Sequence, residues 1–383
     1  MRGWRNSSAA IAIVAATSLV LTACGSESKS SSSSGSGSSS NTTTSAAANV
    51  PAPPTAPPIE IGVTQQLPKA PAKGKTVAFL QCSLPACQAF VPGFKAATQA
   101  LGWKLKTFSY QSPNAGPALQ QAVNAGVDFV ANTGVPPALF KRELAAAHAK
   151  KIPFISANDV TPPDPSTGYM TDFGDTSMFG EESVQMGQWI VKDSGGDAHV
   201  VFVLIPDYPI LQAGVAPLKQ TVAKYCPKCS VDTLPVTVND VASGAVPKKL
   251  VAYLQTHPKV NYIDFSFADL LTGSQQALKA AGLSSRVKIV GQALGSGPQV
   301  IKAIKDRSVA AWVAQPNSYQ AWLMVDAMAR LSQGLALSEE RKAAKQPTWV
   351  VDSAEAAAPL ASLGGWDGPA GFEDKFRQLW RVG

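Results

Sequence analysis

Cysteine carries the most concentrated chemistry in this chain of 383 residues. Four of the five cysteines form close pairs, Cys82 with Cys87 and Cys226 with Cys229, while Cys24 stands alone. Two local disulfides suit an exported protein, where oxidation is permitted. A zinc site is compatible with the C-x4-C and C-x2-C spacings, but the pairs lie about 140 residues apart and export disfavours it. Cys226-Pro-Lys-Cys229 also has the spacing of a thiol oxidoreductase; that motif follows a strand and opens a helix, whereas here a helical stretch precedes it and a strand follows. The three histidines form no catalytic constellation: His148 lies on a helix, His199 starts a strand and His257 sits in a turn before Pro258. No G-x-S-x-G, H-E-x-x-H or P-loop sequence occurs in the folded part. Gly295-Ser296-Gly297 lacks the third glycine and first-strand context of a dinucleotide fingerprint. No catalytic residue, metal or cofactor is expected.

The amino terminus indicates where the protein works. Arg2 and Arg5 precede an uncharged, largely apolar run over residues 9–21, the layout of an export signal too short to serve as a membrane span. Leu21-Thr22-Ala23-Cys24 resembles the lipobox of bacterial lipoproteins. The resemblance implies cleavage after residue 23 and a diacylglycerol on Cys24, which holds a protein to a membrane surface. Residues 25–44 are almost entirely Ser, Gly, Asn and Thr, and 46–58 are rich in Pro and Ala. Such sequence cannot bury a core, so residues 24–70 read as a flexible, lipid-anchored linker.

About 310 residues remain, enough for two domains. Formal charge is +7, falling to about +5 once Arg2 and Arg5 leave. The lysines are scattered without aromatic interleaving, so nucleic acid is not an expected partner. From Lys75 the chain alternates short β-rich runs with amphipathic helical ones. Strands are predicted at 76–80, 104–109, 128–132 and 152–156, with helices over 88–101, 119–125 and 137–150. A connecting strand at 168–172 and a helix capped by Asp175 or Thr176 lead into a second series. Its strands fall at 199–204, 231–235, 262–266, 287–290 and 310–314, and a last helix spans 319–332. The fold class is therefore α/β, two doubly wound parallel-sheet lobes joined by a multi-strand hinge. Residues 75–170 with 316–340 are expected to form the N-terminal lobe, and 171–315 with 341–383 the C-terminal lobe.

In open parallel sheets ligands lie beyond the carboxyl ends of the strands. The loops at 81–88, 111–114, 133–137, 157–160, 205–209, 236–240, 267–270 and 291–296 would then converge on one cleft between the lobes.

The order of short motifs over residues 75–383 is similar to the type I solute-binding proteins of ABC importers, the branch that includes ribose-binding protein. They include Lys75-Thr-Val-Ala-Phe79, Gly93-Phe-Lys-Ala-Ala97, Asn124-Ala-Gly-Val-Asp128, Ile152-Pro-Phe-Ile-Ser156 and Leu278-Lys-Ala-Ala-Gly282. The resemblance implies a monomer that captures a small solute and presents it to a membrane permease. A lipid-tethered sensor acting on a membrane signalling protein would have the same binding body. Position by position, Asn158 and Asp159 match an acid–arginine pair of sugar binders, and Gln315 matches a common glutamine contact. Ser83, Gln88, Tyr208, Phe267 and Gln292 complete the candidate ligand contacts. Val238, Phe267, Ala268 and Ala293 stand where aromatic, amide or acidic groups are usual, and the arginine expected near Leu211 or Gln212 is absent. Sugar hydroxyls must not be buried unsatisfied, so the cleft is expected to be more apolar than a ribose site.

Overall fold

The computed structural model describes residues 49–383, apart from 296, 338–343, 345 and 362–363. Cys24, the signal segment and most of the expected linker lie outside the described residues.

The first lobe is built on five parallel strands, β1 (Thr76–Cys82), β2 (Lys104–Tyr110), β3 (Phe129–Thr133), β4 (Phe154–Ala157) and β5 (Tyr169–Phe173), in the order β2-β1-β3-β4-β5. The second holds β6 (His199–Leu204), β7 (Ser230–Pro235), β8 (Tyr262–Phe265), β9 (Lys288–Leu294), β10 (Ala311–Ala314) and β11 (Trp349–Val351), ordered β11-β10-β9-β8-β6-β7. Every pairing there is parallel except β10 with β11. β3 and β8 are buried at every position, as strands covered by helices on both faces require. Asp175 Oδ1 accepts from Ser177 N at 2.8 Å and caps the helix Thr176–Asp193, which leads out of β5 and packs on the second sheet.

Two sequence expectations are corrected by packing. The closing helix Phe372–Trp380 was expected in the second lobe but docks on the first. Phe372, Phe376 and Trp380 form one apolar stripe, and it meets the helix Asn317–Leu331, with Trp380 stacked on Trp322 at 5.0 Å between ring centroids. Trp380 Nε1 donates to Asp326 Oδ1 at 2.7 Å, and Asp326 pairs with Arg330 at 3.1 Å, both carboxylate and guanidinium being buried.

The expected linker, in turn, ends well before residue 70. Ile61, Val63 and Leu67 are buried in the first-lobe core, and Val50 is buried as well. Carbonyls of this segment accept from both lobes: Pro54 O from Val350 N of β11 at 2.8 Å, Ile61 O from the Tyr319 hydroxyl, Gln65 O from Arg330 and Leu67 O from Arg381.

Both close cysteine pairs are disulfides, Cys82–Cys87 with Cα atoms 5.6 Å apart and Cys226–Cys229 with Cα atoms 5.3 Å apart. These bridges exclude the four-thiolate zinc site. No helix among the described residues is long and apolar enough to cross a membrane.

Candidate functional site

Loops at the carboxyl ends of the strands of both sheets close over a cavity of about 90 Å³. The first lobe contributes Leu84, Ala86 and Cys87 from the bridged loop after β1, Phe90 at the start of the helix Val91–Ala100, Thr133 and Gly134 after β3, and Asn158 after β4. From the second come Phe179 in the first turns of the helix Thr176–Asp193, Tyr208, Ile210 and Leu211 after β6, Phe267 after β8, and Ala293 near the end of β9. Gln315 and Asn317 lie where the chain leaves β10 and crosses back to the first lobe. Among the described residues that line it, none carries a formal charge. The cavity is therefore an apolar chamber with one polar strip.

That strip is a connected set of amides. Asn158 Nδ2 donates to Thr133 Oγ1 at 3.1 Å, and Asn158 Oδ1 accepts from Gln320 Nε2 at 2.8 Å and from Gln315 Nε2 at 3.4 Å. Gln320 Nε2 also reaches Phe173 O at 2.5 Å, tying the strip to the crossing that follows β5. At that crossing Gly174 has φ +87°, and a Cβ there would lie within 2.7 Å of Asn158 Oδ1, Gln320 Nε2 and Gln346 Nε2. Only glycine fits both the conformation and the space. Asn158 and Ala293 themselves have φ of 58° and 50°, so two non-glycine cavity residues sit in the left-handed region.

Two contacts hold the lobes together at the cavity mouth. Ala86 N donates to Asp269 Oδ2 at 3.2 Å, and the Tyr208 hydroxyl donates to Ser112 Oγ. Burial pushes the Asp269 carboxyl up to about 6, against the lowering effect of the Ala86 hydrogen bond, and burial also lifts the Tyr208 phenol to about 12.

Behind the second-lobe wall lies a buried acidic pair. Glu182 Oε2 accepts from Ala293 N at 3.0 Å, and Asp264 Oδ2 accepts from Gln292 Nε2 at 2.9 Å. Desolvation raises both carboxyls to about 8.

Of the residues expected from sequence, Asn158, Tyr208, Phe267 and Gln315 line the cavity. The other four do not. Gln292 is fully committed behind the wall, its Oε1 accepting from Ser183 Oγ at 2.8 Å. Asp159 turns into a buried cluster beside Tyr169 and Asp172, and its Oδ1 accepts from Thr161 N at 2.8 Å; desolvation raises its pKa. Ser83 is exposed in an outer groove that also holds Asp207 and Asp269, and Gln88 is exposed in a shallow depression of the first lobe with Gln81 and Ser109. Sequence reasoning missed Phe90, Phe179 and Leu211, whose signal was their place at helix starts just beyond strand ends. It missed Asn317 as well, two residues after Gln315.

Two α/β lobes shut over a chamber lined from both sides define a hinge-bending binding protein. The chain belongs to the periplasmic binding protein domain family, whose model matches residues 83–336. The family is one of binding proteins, not enzymes. No curated protein matches the chain.

Solved structures share the fold at low identity. A carbohydrate transporter protein from Acidothermus cellulolyticus, in complex with myo-inositol, is 22% identical with a TM-score of 0.64, covering 76% of this chain and 98% of its own. The periplasmic binding component of an arabinose ABC transporter from Shewanella sp. ANA-3 is also 22% identical with a TM-score of 0.64, covering 76% of this chain and 95% of its own. The fructose-binding periplasmic domain of a hybrid two-component system is 17% identical with a TM-score of 0.65, covering 76% and 94%.

Proposed function

We propose that this protein is the extracytoplasmic solute receptor of an ABC import system, closing its lobes over a small molecule and handing it to a membrane permease. The observation that carries this reading is a chamber built jointly by loops of both lobes where the chain crosses between them, the geometry for capture by closure. Asn158, Tyr208, Phe267 and Gln315 are assigned as ligand contacts, with Phe90, Phe179 and Asn317 added from the structure. The related structures hold sugars and polyols; a sugar-like solute is one class of ligand, and the apolar lining favours a less polar one. Cys24 is assigned as the lipid anchor after removal of residues 1–23, and the protein as a monomer on a tether that keeps it near its partner. A second reading, a lipid-tethered sensor, is supported by the likeness to the periplasmic domain of a two-component system.

Small-angle scattering and melting curves against sugars, polyols, nucleosides and aromatic compounds test the binding role. Compaction together with a raised melting temperature is expected for at least one of them; no response to any class overturns it. Cross-linking in cells separates the two readings, since capture of a permease supports transport and capture of a sensor kinase supports signalling. Moving Cys24→Ala into the soluble fraction tests the anchor.

A further inference from the structure

We infer that the solute taken up between the lobes carries an ammonium group, held in the outer part of the cleft by Asp269 and Asp207, with an apolar body seated in the chamber. This rests on the solute-binding reading above and names the class of solute.

Outside the chamber the lobes leave a second space of about 710 Å³, so filling the chamber does not fill the cleft. Its walls include Gln111 and Ser112 from the first lobe and Asp207, Thr237, Asn239 and Asp269 from the second. Leu84 lines both spaces. Ala86, a chamber residue, donates its N–H to Asp269 Oδ2 at 3.2 Å. Chamber and groove thus adjoin, with Asp269 on the boundary between them.

Charge divides the two compartments. The chamber walls offer Phe90, Phe179, Phe267 and Leu211 and no charged side chain. In the groove the charged side chains are Asp207 and Asp269, both acids. Neither takes part in an ion pair among the described residues. A molecule that is apolar at one end and cationic at the other matches that division.

Two acids alone do not make a site; the state of Asp269 adds the independent sign of a ligand. The residue is 6% exposed and lines the groove, and its Oδ1 has no hydrogen-bond partner among the described residues. Unlike the sealed carboxyl oxygens of Asp172, that atom is not shut away from the groove. Burial pushes the carboxyl up to about 6, opposed only by the Ala86 hydrogen bond, so the charge it holds above that pH has no cation beside it. Buried polar groups are almost always satisfied, and a buried charge needs pairing as well as hydrogen bonds. An ammonium supplies both, a hydroxyl only the hydrogen bond, and a carboxylate is repelled. Asp207, exposed and bonded to Val238 N at 3.3 Å through Oδ2, offers a second acceptor to the three donors of an ammonium.

Titration calorimetry and melting curves of the full chain at about pH 8, where Asp269 is ionised, test this with phenethylamine as probe. Phenethyl alcohol serves as the neutral counterpart, phenylpropionate as the anion, and D-glucose and myo-inositol as sugar and polyol. The amine is expected to bind and raise the melting temperature, the alcohol to bind at least about tenfold more weakly, and phenylpropionate more weakly still. In Asp269→Asn the ratio of amine to alcohol affinity is expected to fall close to one, and in Asp207→Asn to fall by less. Equal binding of amine and alcohol by the unaltered protein overturns the inference without recourse to a variant, and an unchanged ratio in Asp269→Asn overturns the assignment to that carboxylate. Glucose or inositol binding more tightly than the amine, or failure of every probe while another compound of the wider screen binds, overturns the inference and leaves the solute-binding reading standing. Failure of every probe together with failure of the wider screen removes both.

Discussion

Closure of the lobes is expected to depend on pH through Asp269. The residue is 6% exposed, accepts from Ala86 N across the cleft, and has its carboxyl pushed up to about 6 by burial. Opening the cleft returns it to water, where an aspartate titrates near 3.9, so the closed form holds the proton more tightly by about two units. The sign follows: above about pH 6 closing buries an ionised carboxylate, and the cost fades as pH falls through 6 and is gone below about 3.9. At about 1.4 kcal/mol per unit the full effect is about 3 kcal/mol, and between pH 7 and pH 5 it makes closing about tenfold more favourable. Asp269→Asn keeps an oxygen for Ala86 N but cannot ionise; it should close at pH 7 at least about tenfold more readily than the parent, with little dependence on pH. Energy transfer between dyes on the two lobes, followed across that range, reads the closed fraction directly. Superimposable curves for the variant and the parent, or a parent that closes better at pH 7, would refute the argument.

Glu182 and Asp264, fully buried and raised to about 8, stay protonated in the folded protein at neutral pH but ionise when it unfolds. Stability should therefore rise as pH falls from about 8 towards 5, by about one to three kcal/mol per unit, and denaturation midpoints that are flat or higher at pH 8 would contradict it. Gly174→Ala places a methyl within 2.7 Å of three amide atoms at φ +87°; a loss of about 2–4 kcal/mol is expected, and a melting temperature unchanged from the parent would show that the crossing can relax. Removing residues 49–74 strips Ile61, Val63 and Leu67 from the first-lobe core and carbonyl acceptors from Tyr319, Arg330 and Arg381. That truncation should lower stability by about 3 kcal/mol or more in a chemical melt, whereas a free linker would leave the midpoint where it was.

The two sheets were legible because their strands are short β-rich runs, most of them apolar, separated by helical periods, and the structure places a strand at each predicted one. What sequence could not supply was choice among apolar partners. The stripe of Phe372, Phe376 and Trp380 announces a buried helix face but not which lobe it meets; the Asp326–Trp380 bond and the stack on Trp322 decide that in three dimensions. β11 has three residues and pairs antiparallel, too little pattern to register. The stretch around residue 60 reads as spacer because proline and alanine dominate its first half, yet Ile61, Val63 and Leu67 suffice to dock it. In the site, the rule that ligands sit beyond strand ends found the right loops, but it could not tell Asn158 from Asp159. The left-handed backbone at Asn158 settles that, turning one side chain to the cavity and the next into the cluster with Tyr169 and Asp172.

The polar strip belongs to the hinge as much as to the chamber, and that sets how occupancy can act on closure. Gln315 touches the cavity and donates, at 3.4 Å in each case, to Asn158 and Gln320. Gln320 in turn holds Phe173 O beside Gly174, where the chain passes between lobes. Bonds of that length are weak, and neutral hydrogen bonds contribute about 0.5–1.5 kcal/mol each. A solute that recruits Gln315 would therefore exchange bonds of similar strength beside the crossing between the lobes. A differential of about 1.4 kcal/mol between open and closed forms shifts their ratio tenfold, so one exchanged contact is enough for occupancy to bias the hinge. An apolar wall contributes affinity in proportion to the area it covers but says little about orientation. If the chamber is the solute site, amides at the crossing beside apolar walls would let a polar group on the solute bias the hinge.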